Sequence, residues 1–352
     1  MTFPSSGQLE SSPMTARLSD IAAQAGVSEA TVSRVLNGKP GVSAATRRVV
    51  LAALDLLGYE RPTRLRRRSA GLVGLITPEL DNPIFPAFAQ VIESALTQRE
   101  FTPVLCTQTP GGATEDEFTH LLIERGVSGI IFVSGMHADT TAGIERYTKL
   151  SGENVPMVMI NGYAEGVDAP FLSTDDRLAM RLAVSHLVEL GHERIGLLSG
   201  PRRFVPVIRK AEGFLRTMAE LLGTDEKDAL LENTIFSFEG GAAGARTLLD
   251  RNATALVCGS DVMALGAITT IRERGLSVPH DVSVIGFDDS PFIAYTDPPL
   301  TTIRQPVQAI GLAAVRALFD ELAGIPAPRS EFVFRPELIV RGSTGSGPRI
   351  QR

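Results

Sequence analysis

The chain has 352 residues, 43% hydrophobic and 21% charged, with a net charge of −6, length enough for two or three domains of about 100–200 residues each. No apolar run reaches the ~18 residues of a membrane span, and the opening "MTFPSSGQLESSP" lacks the apolar core of a signal peptide. Two cysteines, Cys106 and Cys258, each after an apolar run, cannot build a disulfide framework; they read as buried thiols of a cytoplasmic protein. Charge is segregated: residues 14–68 hold ten Lys and Arg against four Asp and Glu, a net of +6, which leaves −11 on residues 69–352. A basic head on an acidic body implies that only the head approaches a polyanion.

In chain order, residues 1–13 are Ser- and Pro-rich without periodicity and read as a disordered tail; Met14 is an alternative start. Three short helices follow within residues 14–60. Leu18, Ile21, Ala22 and Ala25 share one face of the first, which Gly26 ends. Ser28 caps the second, which turns Val32 and Val35 inward and ends at Asn37-Gly38. Ser43 caps the third, whose face is Val50, Ala53, Leu54 and Leu57, closed by Gly58. Residues 61–70, with "RPTRLRRRS", form a basic linker.

From Leu72 β-rich runs alternate with amphipathic helices. The first series is "LVGLI", 85–98, "PVLC", 115–125, "GIIFV", 142–150 and "VPMVMI". The second is 178–190, "RIGLLS", 207–222, "TIF", 242–249, "ALVC", 262–274 and "VSVIGF". Such alternation means parallel sheets covered by helices. Two series imply two Rossmann-like lobes over residues 71–341. The segment "TTIRQP", 307–322 and "EFVFRPELIVR" crosses back between them, before an unstructured tail at 342–352.

A helix set behind a Gly-containing turn is the arrangement that lets a second helix enter a major groove; a three-helix dimerisation module has the same pattern. On the outward side of the second helix stand Glu29, Ala30, Ser33, Arg34 and Asn37. Ser28, Thr31, Ser33 and Asn37 carry groups suited to phosphate oxygens, and Arg34 has the planar fork that pairs with guanine.

The 45 positions "LSDIAAQAGVSEATVSRVLNGKPGVSAATRRVVLAALDLLGYERP" resemble the DNA-binding head of the lactose-repressor (LacI/GalR) family of bacterial transcription regulators. The resemblance continues through "HLVELGHERIGLLSGP", "GLSVPHDVSVIGFDD" and "PPLTTIRQP", to about Arg341. It implies a small all-α helix-turn-helix head plus a two-lobed α/β body like a periplasmic binding protein, an operator DNA partner, a small effector (a sugar) between the lobes, and a homodimer or tetramer. By position, Glu29, Ala30 and Arg34 fall where the family reads bases, and Leu18, Ser28, Thr31, Ser33 and Asn37 where it contacts the backbone or packs in the groove. Glu29 can equally be a solvated capping residue; Thr46, Arg47 and Arg48 can touch phosphate or face solvent.

The family inserts a hinge leucine into the minor groove. Leu65, nine residues before Gly74, has the spacing of that wedge, but "PTRL" replaces the usual motif and the approach is about one helical turn shorter. Pro62 can start a helix, not continue one. A flexible basic linker is the alternative. In the body, Ile84, Phe85, Phe204, Pro206, Lys210, Phe236 and Asp288 fall at the family's effector positions. Lys210 stands where an arginine is usual and loses its planar fork. Asp288 either accepts a ligand hydroxyl or caps a following helix; Phe204 and Phe236 are ligand platforms or plain core.

Other signals carry less. Asp175-Asp176 reads as a helix cap, His186 and His192 lack metal-ligand spacing, and "GGAAG" at 240–244 lacks the dinucleotide fingerprint. No metal, cofactor or catalytic residue is expected. The function implied is a cytoplasmic, nucleoid-associated, effector-controlled transcriptional regulator, a repressor; the rivals are a solute-binding protein and a sugar-modifying enzyme.

Overall fold

A computed structural model describes residues 17–37, 39–57, 69–109 and 111–348. The chain divides into two units, 1–69 and 70–352. In the first, α1 (Leu18–Ala25), α2 (Glu29–Leu36) and α3 (Ala44–Leu56) surround a core of nine buried residues, from Ile21 to Leu54. Gly26 ends α1 with φ 63°, a left-handed turn that glycine makes without a Cβ clash. The Ser28 and Ser43 hydroxyls accept the Thr31 and Thr46 N–H groups, satisfying donors that the first turns of α2 and α3 leave orphaned. Asn37 closes α2 at φ −93°, and the Lys39 N–H reaches back to the Arg34 carbonyl at 2.9 Å. Gly38, Gly58, the tail 1–13 and the linker residues 61–68, with Pro62 and Leu65, lie outside the described residues.

The second unit has two six-stranded sheets. The first lobe orders β11 (Glu331–Phe334), β5 (Phe171–Thr174), β4 (Met157–Ile160), β3 (Gly129–Val133), β1 (Gly71–Thr77) and β2 (Phe101–Thr107), all parallel. Helices α4 (Ile84–Gln98) and α11 (Val307–Leu322) cover one face, α5 (Glu115–Glu124) and α6 (Glu145–Gly152) the other. The second lobe orders β12 (Glu337–Ile339), β10 (Thr301–Arg304), β9 (Ser283–Asp288), β8 (Ala255–Cys258), β6 (Ile195–Ser199) and β7 (Leu230–Asn233), with only β12 antiparallel. Its faces are covered by α7 (Asp176–Glu189) with α8 (Val205–Leu222), and by α9 (Phe238–Asp250) with α10 (Asp261–Glu273). Covered on both sides, the central strands are continuous apolar runs, as buried parallel strands must be.

The chain passes between lobes at 174–176, 304–307 and 334–337. The crossings are tied together: the Asp175 N–H donates to the Phe334 carbonyl at 2.8 Å, and the Thr174 hydroxyl to Gln305 Oε1 at 2.8 Å.

Several elements depart from the sequence reading. "FLST" forms β5 although its Ser and Thr broke the apolar run; all four residues are buried. "TIF" is not a strand: β7 ends at Asn233, and Ile235 is exposed because Ser237 already caps α9. Helix α6 starts at Glu145, after a 3-10 turn at Met136–Ala138. The tail is not free from residue 342. Ser343 is fully buried, donating to the Val284 carbonyl and accepting the Thr301 N–H, and His192 holds the Gly345 carbonyl, so residues 342–348 dock on the second lobe. "GGAAG" proves to be packing: a Cβ on Gly241 would overlap the Met263 carbonyl, which lets α9 and α10 meet closely.

Candidate functional site

Between the lobes lies a cavity of about 550 Å³, a usual size for a small-molecule site. Ile84, Phe85, Phe204, Pro206, Lys210, Phe236 and Asp288, scattered over some two hundred positions, all line it. They converge because they stand at the carboxyl ends of β1, β6, β7 and β9 or in the turns and opening helix turns that follow, where open α/β sheets leave a crevice. Asn82 Oδ1 accepts the Ile84 N–H at the start of α4 and so fixes the turn bearing Phe85. Pro206 occupies the first turn of α8 and Lys210 follows one turn later on the same face. Ser237 caps α9 and holds Phe236 in the loop before it.

Asp288 is the polar centre. Its Oδ1 accepts Gln305 Nε2 at 2.7 Å, while its buried Oδ2 has no hydrogen-bond partner among the described residues. Its backbone sits at φ 122°, a strained region for any residue but glycine. Burial, then the charge of Asp261, push its carboxyl well above the usual range; Gln305, Lys210 and Asn82 pull the other way. Asp261 is itself pushed up to about 6, chiefly by burial, although it accepts the Ser290 N–H at 2.7 Å and the Thr302 hydroxyl at 2.6 Å. Asp288 caps no helix. The adjacent Asp289 turns away, onto Arg304 at 2.7 Å and Arg341 at 2.6 Å.

The two cations lining the cavity are committed. Lys210 Nζ lies 2.5 Å from Asp176 Oδ1, both side chains buried, and 3.9 Å from the centroid of the Phe287 ring. Arg203 Nε donates to Asp139 Oδ2 at 2.7 Å, and its guanidinium lies over the Phe204 ring. The sequence reading passed over Asp139, Arg203 and Gln305 and took Asp176 for part of a helix cap. Gln305 stood in a motif it quoted, but nothing in one dimension showed what it or Arg203 faces.

In the head, α2 buries Val32, Val35 and Leu36 and leaves Ser28, Glu29, Ala30, Arg34 and Asn37 exposed, with Thr31 and Ser33 half-buried. Ser28 and Thr31 share a hydroxyl contact, and the Asn37 amide donates to the Ser33 carbonyl. Leu18 is 41% exposed at the start of α1, and Arg47 and Arg48 are exposed on α3. The Thr46 hydroxyl is paired with Ser43.

The model of bacterial regulatory proteins, lacI family, matches residues 17–62, and that of the periplasmic binding protein-like domain matches 184–344. The chain is 66% identical over 339 residues to the HTH-type transcriptional regulator reg1 of Streptomyces lividans, covering 95% of this chain and 98% of that one. The chain belongs to the lacI family. Among solved structures, this LacI-family chain is similar to a transcriptional regulator CelR–cellobiose complex, with TM-score 0.69, 30% identity and coverage of 93% and 99% of the two chains. It is also similar to the lac repressor dimer bound to operator and the anti-inducer ONPF, with TM-score 0.68, 28% identity and coverage of 94% and 99%. As a LacI-family protein it is a helix-turn-helix, DNA-binding transcriptional regulator. Among the described residues no helix is long and apolar enough to cross a membrane.

Proposed function

We propose that this regulator is a cytoplasmic repressor that binds operator DNA as a homodimer and is controlled by an uncharged sugar, larger than one pyranose ring, held in the cleft. Control works by binding, without turnover of the sugar. Arg34, Glu29 and Ala30 read base edges; Leu18, Ser28, Thr31, Ser33 and Asn37 seat the helix on the backbone. Leu65 is the candidate wedge in the minor groove.

The observation that carries the effector reading is the pairing pattern in the cleft. Lys210 and Arg203 already hold Asp176 and Asp139, whereas Asp288 offers a buried oxygen with no partner among the described residues. That site suits a hydroxyl donor and disfavours a phosphate or carboxylate. Phe85, Phe204 and Phe236 give flat faces for sugar C–H groups. The cellobiose in the CelR structure is a ligand of this class.

Thermal-shift titration with cellobiose, maltose, glucose and glucose 6-phosphate tests this. A true effector at about 100 times its dissociation constant adds about 2.7 kcal/mol of stability, and Asp288→Ala abolishes the gain. A stronger response to glucose 6-phosphate than to the neutral sugars rules out the uncharged class. Release of any sugar product by the pure protein rules out a purely binding role.

A further inference from the structure

The loops after β3 and β6, one from each lobe, grip each other beside the cavity. Arg203 Nε donates to Asp139 Oδ2 at 2.7 Å. The Thr140 N–H and hydroxyl both donate to the Arg203 carbonyl, at 2.9 and 2.8 Å, and Asp139 pairs with Phe204 as an antiparallel bridge. The other carboxylate oxygen of Asp139 is braced by the Thr141 N–H and hydroxyl, at 2.9 and 2.6 Å.

The first-lobe loop is not a loose flap. Glu115, buried on α5, accepts the Met136 N–H at 2.9 Å and the Tyr147 hydroxyl at 2.5 Å; that hydroxyl in turn accepts the His137 N–H at 2.8 Å. The His137 ring meets the Ile160 carbonyl at 3.1 Å. A buried network therefore clamps the base of the arm whose tip holds Arg203. Ala138, Arg203 and Phe204 line the cavity alongside Asp176 and Gln305, which belong to the lobe crossings. The cleft is thus bounded by the crossings and by this grip, which is made of protein atoms alone.

We propose that Asp139–Thr141 and Arg203–Phe204 form a clasp that holds the lobes together and must part for a ligand to enter or leave the cleft. The clasp governs the rate of exchange, while Asp288 and the aromatic rings govern what is held. Its role in ligand exchange rests on the effector reading above; its hold on the lobes does not.

Two measurements on the full chain separate these. Cys106 and Cys258 are buried, so spin labels go to Glu145→Cys on α6 and Glu239→Cys on α9, both exposed. Pulsed electron resonance then reads the lobe separation without ligand. Asp139→Asn and Arg203→Gln should each broaden it toward longer distances, with Thr140→Val a milder case; unchanged melting of the second unit shows that the variants fold. An unchanged distance distribution in folded Asp139→Asn and Arg203→Gln overturns the clasp. In stopped-flow mixing with cellobiose and with maltose, association and dissociation should both rise at least fivefold while their ratio moves less. Unchanged rates for a sugar that binds overturn the gating. If neither sugar binds any form yet the distances broaden, the clasp stands and the choice of effector fails.

Discussion

Asp288 shows how one residue can be costly to the fold and useful to the site. Its backbone is strained and its unpartnered oxygen buried, with Asp261 close enough to repel it. Because its folded-state pKa is raised, the folded state prefers the protonated acid. Its contribution to stability is complete below the ordinary carboxylate value of about 4 and is lost as pH rises through the raised folded value. Asp261, pushed up to about 6, acts in the same direction over that window. Asp288→Asn should therefore flatten the fall in melting temperature of the second unit between pH 5 and 8, as read by scanning calorimetry. In the head, Arg34 is the exposed cation of α2. Arg34→Ala should remove about 1–3 kcal/mol of discrimination between operator and scrambled duplex, measured by fluorescence anisotropy. Equal loss on both duplexes would make Arg34 a phosphate contact instead.

Among elements, the crossings and the α8–β11 contact decide how the lobes are joined. Arg209 on α8 forms a two-pronged ion pair with Glu331 on β11, at 2.6 and 2.8 Å, with both side chains about 15% exposed. Such a pair lies between an exposed bridge at about 1 kcal/mol or less and a buried one whose breaking costs about 3–5. Arg209→Met should cost roughly 2 kcal/mol in urea denaturation, and Arg209→Met with Glu331→Leu less than the sum of the single changes. The head has little to spare: its core is mostly Ala and Val, and a domain of this size is marginal alone. Ser43→Ala, which removes the cap of α3, should cost about 1 kcal/mol and weaken DNA binding while sugar binding is unchanged.

For the whole molecule, the charge split sets the behaviour on DNA. A head of net +6 on a body of −11 predicts operator affinity that falls steeply with salt while sugar affinity does not, because only the head releases counterions. The proposed homodimer would bring two heads to one operator, which the few base-reading groups proposed for a single head call for. Phe292 is 75% and Tyr295 86% exposed in the turn after β9, large apolar faces that a second copy would bury. Tyr295→Asp should shift the sedimentation profile toward monomer and reduce operator affinity at least tenfold, with the sugar-induced thermal shift retained. Coupling between cleft and operator is then expected at about 1–3 kcal/mol, measured as the change in operator affinity with saturating sugar.

Local patterns determined the helices of the head, their Ser28 and Ser43 caps, the Gly26 turn and the alternation that makes two parallel sheets, because each depends on residues a few positions apart. The seven residues found around the cavity were singled out by the family resemblance, and they lie together because parallel topology leaves the crevice at the strand ends. Pairing of charges was decided only by the tertiary structure. Lys210 reads as a ligand cation until α7 brings Asp176 to its ammonium, and nothing local marks Arg203 until the other lobe supplies Asp139. The docked tail at Ser343 and the strand at Phe171–Thr174 were likewise illegible, because their partners lie far away in the chain and their own residues carry no period. Such features follow from what the fold brings together, and no stretch of sequence contains both halves of the contact.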